Sequence, residues 1–246
     1  MKKKILVIGE ACKDIFCYGD SDRLCPEAPA PVFNPIETIN GYGMAMNVQN
    51  NILSLGVDCD LITNQNWEEV IKIRYIHKNT NQMFIRIDHN DDKIEKFRET
   101  DDLKIDKYDA IVISDYNKGF LSEDDIRKIS LMHNCVFLDT KRKLGPWCND
   151  VDFIKINHYE YGKTKEHVTR NIEDKLIVTL GNKGSRYKGK TFPVDKVEIK
   201  DVTGAGDTFL AGLVVKYIKT ENIEKAIIFA NECSSKVVQK RGTSTP

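Results

Sequence analysis

The sequence predicts an α/β protein: a doubly wound, mostly parallel sheet flanked by helices, with a small β-sheet lid set on it. Three observations predict this class. Short Val- and Ile-rich runs recur without strict alternation, as strands buried on both faces do. Helical patterns lie between them, and such strand–helix alternation builds a parallel sheet. Two further stretches break the rhythm and read as β-structure of their own.

The elements follow in chain order. Lys4–Ile8 is the first strand; Met1–Lys4 has the charge of a signal-peptide start, but the apolar run stops at Gly9-Glu10 and no h-region follows. Ile15–Glu37 carries four prolines (26, 29, 31 and 35), a density that favours extended edge segments. Ala45, Val48, Ile52 and Leu55 are spaced for one face of a helix, and Asp60–Thr63 is the next strand. Ile71–Asp88 alternates around Lys78–Gln82, which puts Met83, Ile85 and Ile87 on one side of a hairpin. With the proline-rich stretch it forms a lid of about 15–39 and 71–88 on a single domain of 1–246. The apolar face of that lid covers a ligand or meets another subunit.

Ala110–Ser114, Val136–Leu138, Phe153–Ile156 and Leu176–Leu180 complete the set of strands. After the first of these, Ser122 and the acidic Glu123-Asp124-Asp125 start a helix that turns Ile126, Ile129 and Met132 inward. Gly9-Glu10, Asn64, Asp115, Asp139, Asn157 and Gly181 follow the runs. That is the carboxyl edge, where polar ligands bind in open parallel sheets; helix caps have the same composition.

Composition narrows the function. The chain has 246 residues, 41% of them hydrophobic, enough for a sizeable core. Lys+Arg and Asp+Glu balance at 37 each, which argues against a nucleic-acid partner, since phosphate neutralisation leaves a basic surplus. No run nears the roughly 18 apolar residues of a membrane span. The seven cysteines are an odd number without a C-x-x-C pair, so neither a disulfide framework nor a zinc site is expected, and the protein reads as cytoplasmic.

Gly184-Ser-Arg-Tyr-Lys-Gly189-Lys190-Thr191 has the spacing of a phosphate-binding loop, which requires a helix starting at the Lys-Thr pair. Phe192-Pro193-Val194 follows instead, then the alternating Val197-Glu198-Ile199, so the segment reads as a hairpin. Gly9-Glu-Ala-Cys-Lys-Asp14 has one glycine where a dinucleotide fingerprint has three, which argues against a dehydrogenase. The string Asp201-Val-Thr-Gly-Ala-Gly-Asp-Thr-Phe209 carries more chemistry. Gly204 and Gly206 let several N–H groups converge, and the helix that follows adds the positive end of its dipole. Phe209, Leu210, Leu213, Val214 and Tyr217 are spaced as its buried face. The turn is an anion hole for a transferring phosphoryl group, with Asp207 beside it to take a proton from an attacking hydroxyl. The alternative for a shorter match is a plain glycine turn with Asp207 as helix cap.

At these residues the sequence resembles the ribokinase-like (PfkB) family of carbohydrate kinases, whose signature reads D-T-G-A-G-D. The resemblance covers most of the chain and extends to Gly19–Pro31, Asp115-Tyr-Asn-Lys-Gly119, Asp139-Thr-Lys141, Asn157-His-Tyr-Glu160 and Gly242-Thr-Ser-Thr-Pro246. Within the family it is similar to the heptose-phosphate kinases. It implies phosphorylation of a sugar or sugar phosphate with ATP and Mg2+, heptose 7-phosphate to the 1,7-bisphosphate being the leading case. Another sugar or a nucleoside as acceptor, or a non-catalytic sugar- or nucleotide-binding protein on the same scaffold, are the alternatives.

The resemblance also implies roles. Asp207 is the catalytic base, and Gly204, Ala205 and Gly206 are the anion hole. Asp14, Gly43 and Asn47 bind the sugar, and Lys141 contacts its phosphate. Asn157 and Glu160 match the N-x-x-E motif that organises magnesium, through water, and phosphate. Thr179, Gly181, Gly184 and Asn231 lie along the nucleotide, and the lid doubles as a homodimer interface. The position of Asp207 at a helix N-terminus predicts a lowered pKa, opposed by nearby nucleotide phosphates. Two departures stand out: Gly43-Met44 where the family has Gly-Gly, and only Gln65 to Val70 where it has a helix and a strand before the lid hairpin.

Overall fold

The computed structural model describes residues 2–98 and 103–246. In chain order its strands are β1 (Lys4–Gly9), β2 (Ala11–Asp20), β3 (Asn34–Met44), β4 (Asp58–Ile62), β5 (Ile71–His77) and β6 (Met83–His89). Then come β7 (Ala110–Asp115), β8 (Val136–Thr140), β9 (Phe153–Asn157), β10 (Leu176–Thr179), β11 (Ser185–Tyr187) and β12 (Lys190–Phe192). The helices are α1 (Ala45–Ser54), α2 (Glu123–Leu131), α3 (His158–Thr164), α4 (Arg170–Glu173), α5 (Ala205–Thr220) and α6 (Ile223–Val237).

The larger sheet runs β12-β11-β10-β9-β8-β7-β1-β4. All neighbours from β10 to β4 are parallel, and the β11–β12 hairpin extends the sheet antiparallel. Successive side chains leave a strand on opposite faces. Leu6, Ile8, Ile111, Ile113 and Leu138 therefore pack on the side of α2 and α4, while Ile5, Val7, Val112 and Phe137 pack against α1, α5 and α6. With both faces covered, the strands have no polar side, and their sequences show no alternation. Each such side chain contributes about 1.5–3 kcal/mol when fully buried, so the two layers hold the sheet edge in place beneath the site.

The smaller sheet, β3-β2-β5-β6, stands over the carboxyl edge of the larger one. β2 follows β1 after Glu10 alone, and β3 runs straight into α1. Its strands extend beyond the expected lid bounds, over 11–44 and 71–89. The register pairs Lys72 with Asp88 and Arg74 with Arg86 on one face, and Ile73 with Ile87 and Tyr75 with Ile85 on the other. Lys72 and Arg74 are buried, whereas Met83 and Ile85 are 48% and 54% exposed. The apolar face thus points away from the core, and the charged face is the one turned inward.

Three of the prolines lie outside the strands: Pro26, Pro29 and Pro31 sit in the β2–β3 connection, held by one Leu24–Pro31 bridge. Pro35 is in β3, an edge strand, opposite Gly19 at a bulge, where the missing donor disturbs no ladder bond. The Gly184–Thr191 segment is the β11–β12 hairpin, turning at Lys188 and Gly189 with positive φ, as its sequence required of a turn that is not a phosphate loop. Residues 197–199 alternate in polarity but form no strand. The Ser122 start is a full capping box with Asp125. Among the described residues no helix is long and apolar enough to cross a membrane, and all seven cysteines are free thiols.

Candidate active site

α5 begins where the Asp201–Phe209 string placed it. Gly204, its N-cap, has φ 76°, and a Cβ there would meet Asn47 Nδ2 at 2.8 Å, so both backbone angle and space demand glycine. The amides of Gly206 and Asp207 have no acceptor within the helix and carry its positive end. Beside them lies Lys155, 3% exposed, whose Nζ is 3.0 Å from the point where Gly206 would bear a Cβ. Lys155 donates to Asp139 Oδ2 at 2.7 Å, while Asp139 Oδ1 is buried without a partner among the described residues.

Asp207 is buried, and both carboxylate oxygens accept a bond. Asn47 Nδ2 donates to Oδ2 at 2.8 Å, and the Tyr116 hydroxyl donates to Oδ1 at 2.7 Å. The lowered pKa expected from the helix terminus is overturned. Burial raises the carboxyl above its ordinary value; the two donors and Lys155 pull it back, and Asp139 adds to the rise. Desolvation dominates here because the group is buried, and a terminal dipole is the smaller effect.

Three cavities meet at this point. One of about 250 Å³ lies under the smaller sheet and is lined by Asp14, Lys72, Arg74, Arg86, Lys118 and Asp207. Asp14 Oδ1 accepts from Arg74 at 2.7 Å, and a Cβ on Gly43 would stand 2.9 Å from Asp14 Oδ2, so Gly43 leaves room for that carboxylate. A second cavity, about 330 Å³, is lined by Tyr116, Asp139, Lys141, Lys155, Asn157 and Asp207. The third, about 530 Å³, holds Thr179, Gly181, Gly184 and Asn231 against an apolar wall that includes Val197 and Val202. Gly206 borders the last two cavities, and Gly204 the first two, so the three adjoin along the start of α5. Ala205 lines the third cavity.

Several expected site residues have other partners than the resemblance implied. Asn47 is 2% exposed and faces Asp207, not the first cavity. Asn157 Oδ1 accepts from the amides of Tyr159 and Glu160, and Glu160 Oε2 accepts from Asn157 N, so the N-x-x-E motif is the capping box of α3. Glu160 Oε1 pairs with Lys141 Nζ at 2.5 Å. Burial alone would depress the Lys141 ammonium, but Asp139 and Glu160 outweigh it and hold it above its ordinary value. Asn231 donates to Ser185 Oγ and Phe192 O, fixing the wall of the third cavity. At Gly184, φ is 83° and a Cβ would lie 2.0 Å from Phe192 O.

Of the polar row at the carboxyl edge, Glu10, Asn64 and Asp115 serve the fold. Glu10 accepts from Tyr116 N and Lys118 N, Asn64 from Ala11 N, and Asp115 from Arg142 and Thr140. Among the described residues no group of three or more His, Cys, Asp or Glu is placed to hold a metal alone. Magnesium usually rides on substrate phosphates with one or two carboxylates and several waters. The unpartnered Asp139 Oδ1 and Glu160, bonded to Lys141 of the second cavity, fit that weaker donor set.

Sequence reasoning gave no role to Lys72, Arg74, Arg86, Lys118, Tyr116 or Lys155. The signals were present. Lys72 and Arg74 stand at i and i+2 in Ile71-Lys-Ile-Arg-Tyr75, hence on one face, and Lys155 interrupts an apolar strand two residues before Asn157.

An open parallel sheet, a helix-borne anion hole with a buried acid in it, and cavities on either side define a phosphotransferase of the sugar-kinase type. The model of the pfkB family carbohydrate kinases matches residues 47–246, and the chain belongs to that family. The bifunctional protein HldE of a Nitratiruptor species is 29% identical over 293 residues, covering 100% of this chain and 63% of that protein. The HldE of a Helicobacter pylori strain is 29% identical over 298 residues, covering 98% and 64%. The chain thus spans less than two thirds of the length of these curated relatives. In fold, it resembles the nucleoside kinase of Methanocaldococcus jannaschii (TM-score 0.72, 17% identity, 98% of this chain and 93% of that one). It also resembles the ribokinase of Thermotoga maritima (TM-score 0.73, 19% identity, 97% and 94%).

Proposed function

We propose that the chain transfers a phosphoryl group from ATP to a hydroxyl of a sugar phosphate, with heptose 7-phosphate to the 1,7-bisphosphate as the reaction. The observation that carries this reading is the meeting of two cavities at Asp207, with the third adjoining at Gly206 in the first turn of α5. The acceptor occupies the 250 Å³ cavity, its hydroxyl beside Asp207 and its hydroxyl groups against Asp14. Lys72, Arg74, Arg86 and Lys118 are paired with Asp14, Asp88 and Asp91, which leaves four cations against three carboxylates, a positive surplus that suits a phosphate ester better than a neutral sugar. Heptose 7-phosphate itself rests on the resemblance and on the HldE relatives.

ATP lies across the other two cavities, its ring against the apolar wall with Thr179, Gly181, Gly184 and Asn231 alongside. Its phosphates face Lys141, Lys155 and the amides of Gly206 and Asp207. Phosphoryl transfer through a loose transition state asks mainly for alignment and charge neutralisation, which these cations and amides supply. Magnesium, when bound, would neutralise further phosphate charge, reaching Asp139 and Glu160 through water. The smaller sheet acts as the lid that excludes water. Its outward face, where Tyr42, Met83 and Ile85 are exposed, is where a homodimer forms.

ADP release measured over a panel of sugar phosphates, free sugars and nucleosides tests the reading. Turnover confined to sugar phosphates, and lost by orders of magnitude in Asp207→Asn with ATP binding retained, is the expected result. Met44, which lines the acceptor cavity where the family pattern has glycine, favours one second reading, a different acceptor. The same panel identifies it. A thermal shift with ligand but no ADP release from any acceptor would point to a binding protein instead.

A further inference from the structure

We propose that the Tyr116 hydroxyl is a positioning group for the base: it donates to Asp207 Oδ1 and aims the carboxylate at the acceptor hydroxyl. The proposal rests on the reading of Asp207 as that base. The bond is 2.7 Å long, and Asn47 holds the other oxygen, so the carboxylate cannot rotate without breaking one of two bonds. A carboxylate oxygen accepts two hydrogen bonds. One position on each oxygen therefore stays open, and only there can the acceptor donate its proton.

The turn that carries Tyr116 is built with unusual rigidity. β7 ends at Asp115, and Glu10, fully buried at the end of β1, accepts the amides of Tyr116 and Lys118 at 2.9 Å each. Asn117 is in the left-handed region at φ 55°, with its amide on Asp115 Oδ1, and Arg142 and Thr140 fix Asp115 in turn. Burial and the neighbouring Asp115 push the Glu10 carboxyl up, an electrostatic burden that a turn needed only for chain reversal does not require. What the turn delivers to the reaction centre is the Tyr116 hydroxyl and, into the acceptor cavity, Lys118. The phenol ring is held as well, with Lys141 Nζ 5.3 Å from its centroid.

The hydroxyl bears on the charge of Asp207 as much as on its direction. A donor stabilises the ionised carboxylate, the form that accepts a proton, against the burial that opposes it. The other titratable or charged groups lining the two cavities are Asp139, Lys141, Lys155, His158 and Tyr159 in the phosphate cavity, and Cys12, Asp14, Lys72, Arg74, Arg86 and Lys118 in the acceptor cavity. Removing the hydroxyl leaves all of them in place.

The test is the pH profile of single-turnover phosphorylation of the best acceptor from the panel. Tyr116→Phe is expected to move the acid limb about one unit to higher pH and to lower the neutral-pH rate about tenfold, with KM values changed less than threefold. Tyr116→3-fluorotyrosine, a stronger donor of the same shape, moves the limb the other way and guards against a folding defect in the phenylalanine variant. A limb that stays in place in both variants overturns the proposal. So does a limb abolished by His158→Gln, which would belong to that histidine. Asp207→Asn separates the two readings: retained turnover there removes the base assignment itself, whereas lost turnover with an unmoved Tyr116→Phe limb removes only the role of Tyr116.

Discussion

Asn47 Nδ2 donates to Asp207 Oδ2 at 2.8 Å, tying the first turn of α1 to the first turn of α5 across 160 residues of chain. The bond belongs to a buried relay. Thr208 Oγ1 donates to Asn51 Oδ1 at 3.0 Å, and Asn51 Nδ2 reaches Asn47 Oδ1 at 3.2 Å and Asn47 O at 2.8 Å. Two asparagines on one face of α1 thus support the acid on α5. Asn47→Ala removes a donor from a buried carboxylate, and such losses cost about 1–3 kcal/mol. We expect that loss in urea unfolding, together with a lower kcat and an acceptor KM within threefold of the parent. A raised KM with unchanged kcat would restore Asn47 to the sugar site.

The raised pKa of Asp207 predicts a stability signature. The folded protein binds this proton more tightly than the unfolded chain, so the group's contribution to stability is full at acid pH. It is lost as the pH rises through the folded pKa. Asn at this position carries no such charge. The unfolding midpoint of Asp207→Asn relative to the parent should therefore improve as the pH rises above the ordinary carboxyl range and level off once it passes the folded pKa. A difference independent of pH would sink the burial account.

Arg86 reaches the acceptor cavity from β6 and pairs with Asp88 at 2.6 Å on a half-exposed rim. The pair is bidentate but partly solvated, so Arg86→Ala should cost no more than about 1 kcal/mol of stability. A charged hydrogen bond to a substrate phosphate is worth about 1.5–3 kcal/mol. The expected outcome is a KM for the sugar phosphate raised about tenfold or more, with no change for a free sugar. Equal effects on both acceptors would place the phosphate elsewhere.

Met44 sits at φ 58° and ψ −133°, a conformation that costs a side-chain-bearing residue about 1–3 kcal/mol. Truncating a well-packed buried methionine costs about 2–5 kcal/mol. In Met44→Gly the released strain offsets most of the lost packing, so the net cost should stay below about 2 kcal/mol. Ile52→Ala in the same helix has no strain to release and should cost the full 2–5 kcal/mol. Chemical denaturation of the two variants side by side decides it.

Much of the fold was legible because its signals are local and strong. The buried strands announce themselves by unbroken Val and Ile runs, and Ser122 and Asp125 form the capping box their spacing anticipated. α6, with Ala226, Ile227, Ala230 and Cys233 on its buried face, was missed; its pattern is as regular as that of α1, and the lost signal was its place beyond the conspicuous α5 string. The short α3 and α4 escaped because four to seven residues carry too little periodicity to register. At the site, Gly204 and Asp207 were readable from one string. The bonds of Asn47 and Tyr116 to Asp207 and of Lys155 to Asp139 were not, since each joins different elements of the fold. The pKa direction failed for the same reason: a helix terminus is visible in the sequence, whereas the burial that outweighs it is not.

The chain crosses between the two sheets four times: β1 to β2, β3 to α1, β4 to β5 and β6 to β7. The first crossing contains Glu10 alone and the second contains no connecting residue, Met44 being both the last of a strand and the cap of a helix. Neither can gain or lose a residue without turning Tyr116's anchor or Asn47 away from the acid they serve. Among the connections of the smaller sheet, the room for insertions and deletions is therefore in the other two crossings and at the far rim, in 21–33 and 78–82. The first of these crossings, 63–70, holds Gln65–Val70, where the resemblance led to the expectation of a further helix and strand. Its eight residues supply neither of the hydrogen bonds that hold Asp207, so its length bears on the smaller sheet and not on the acid.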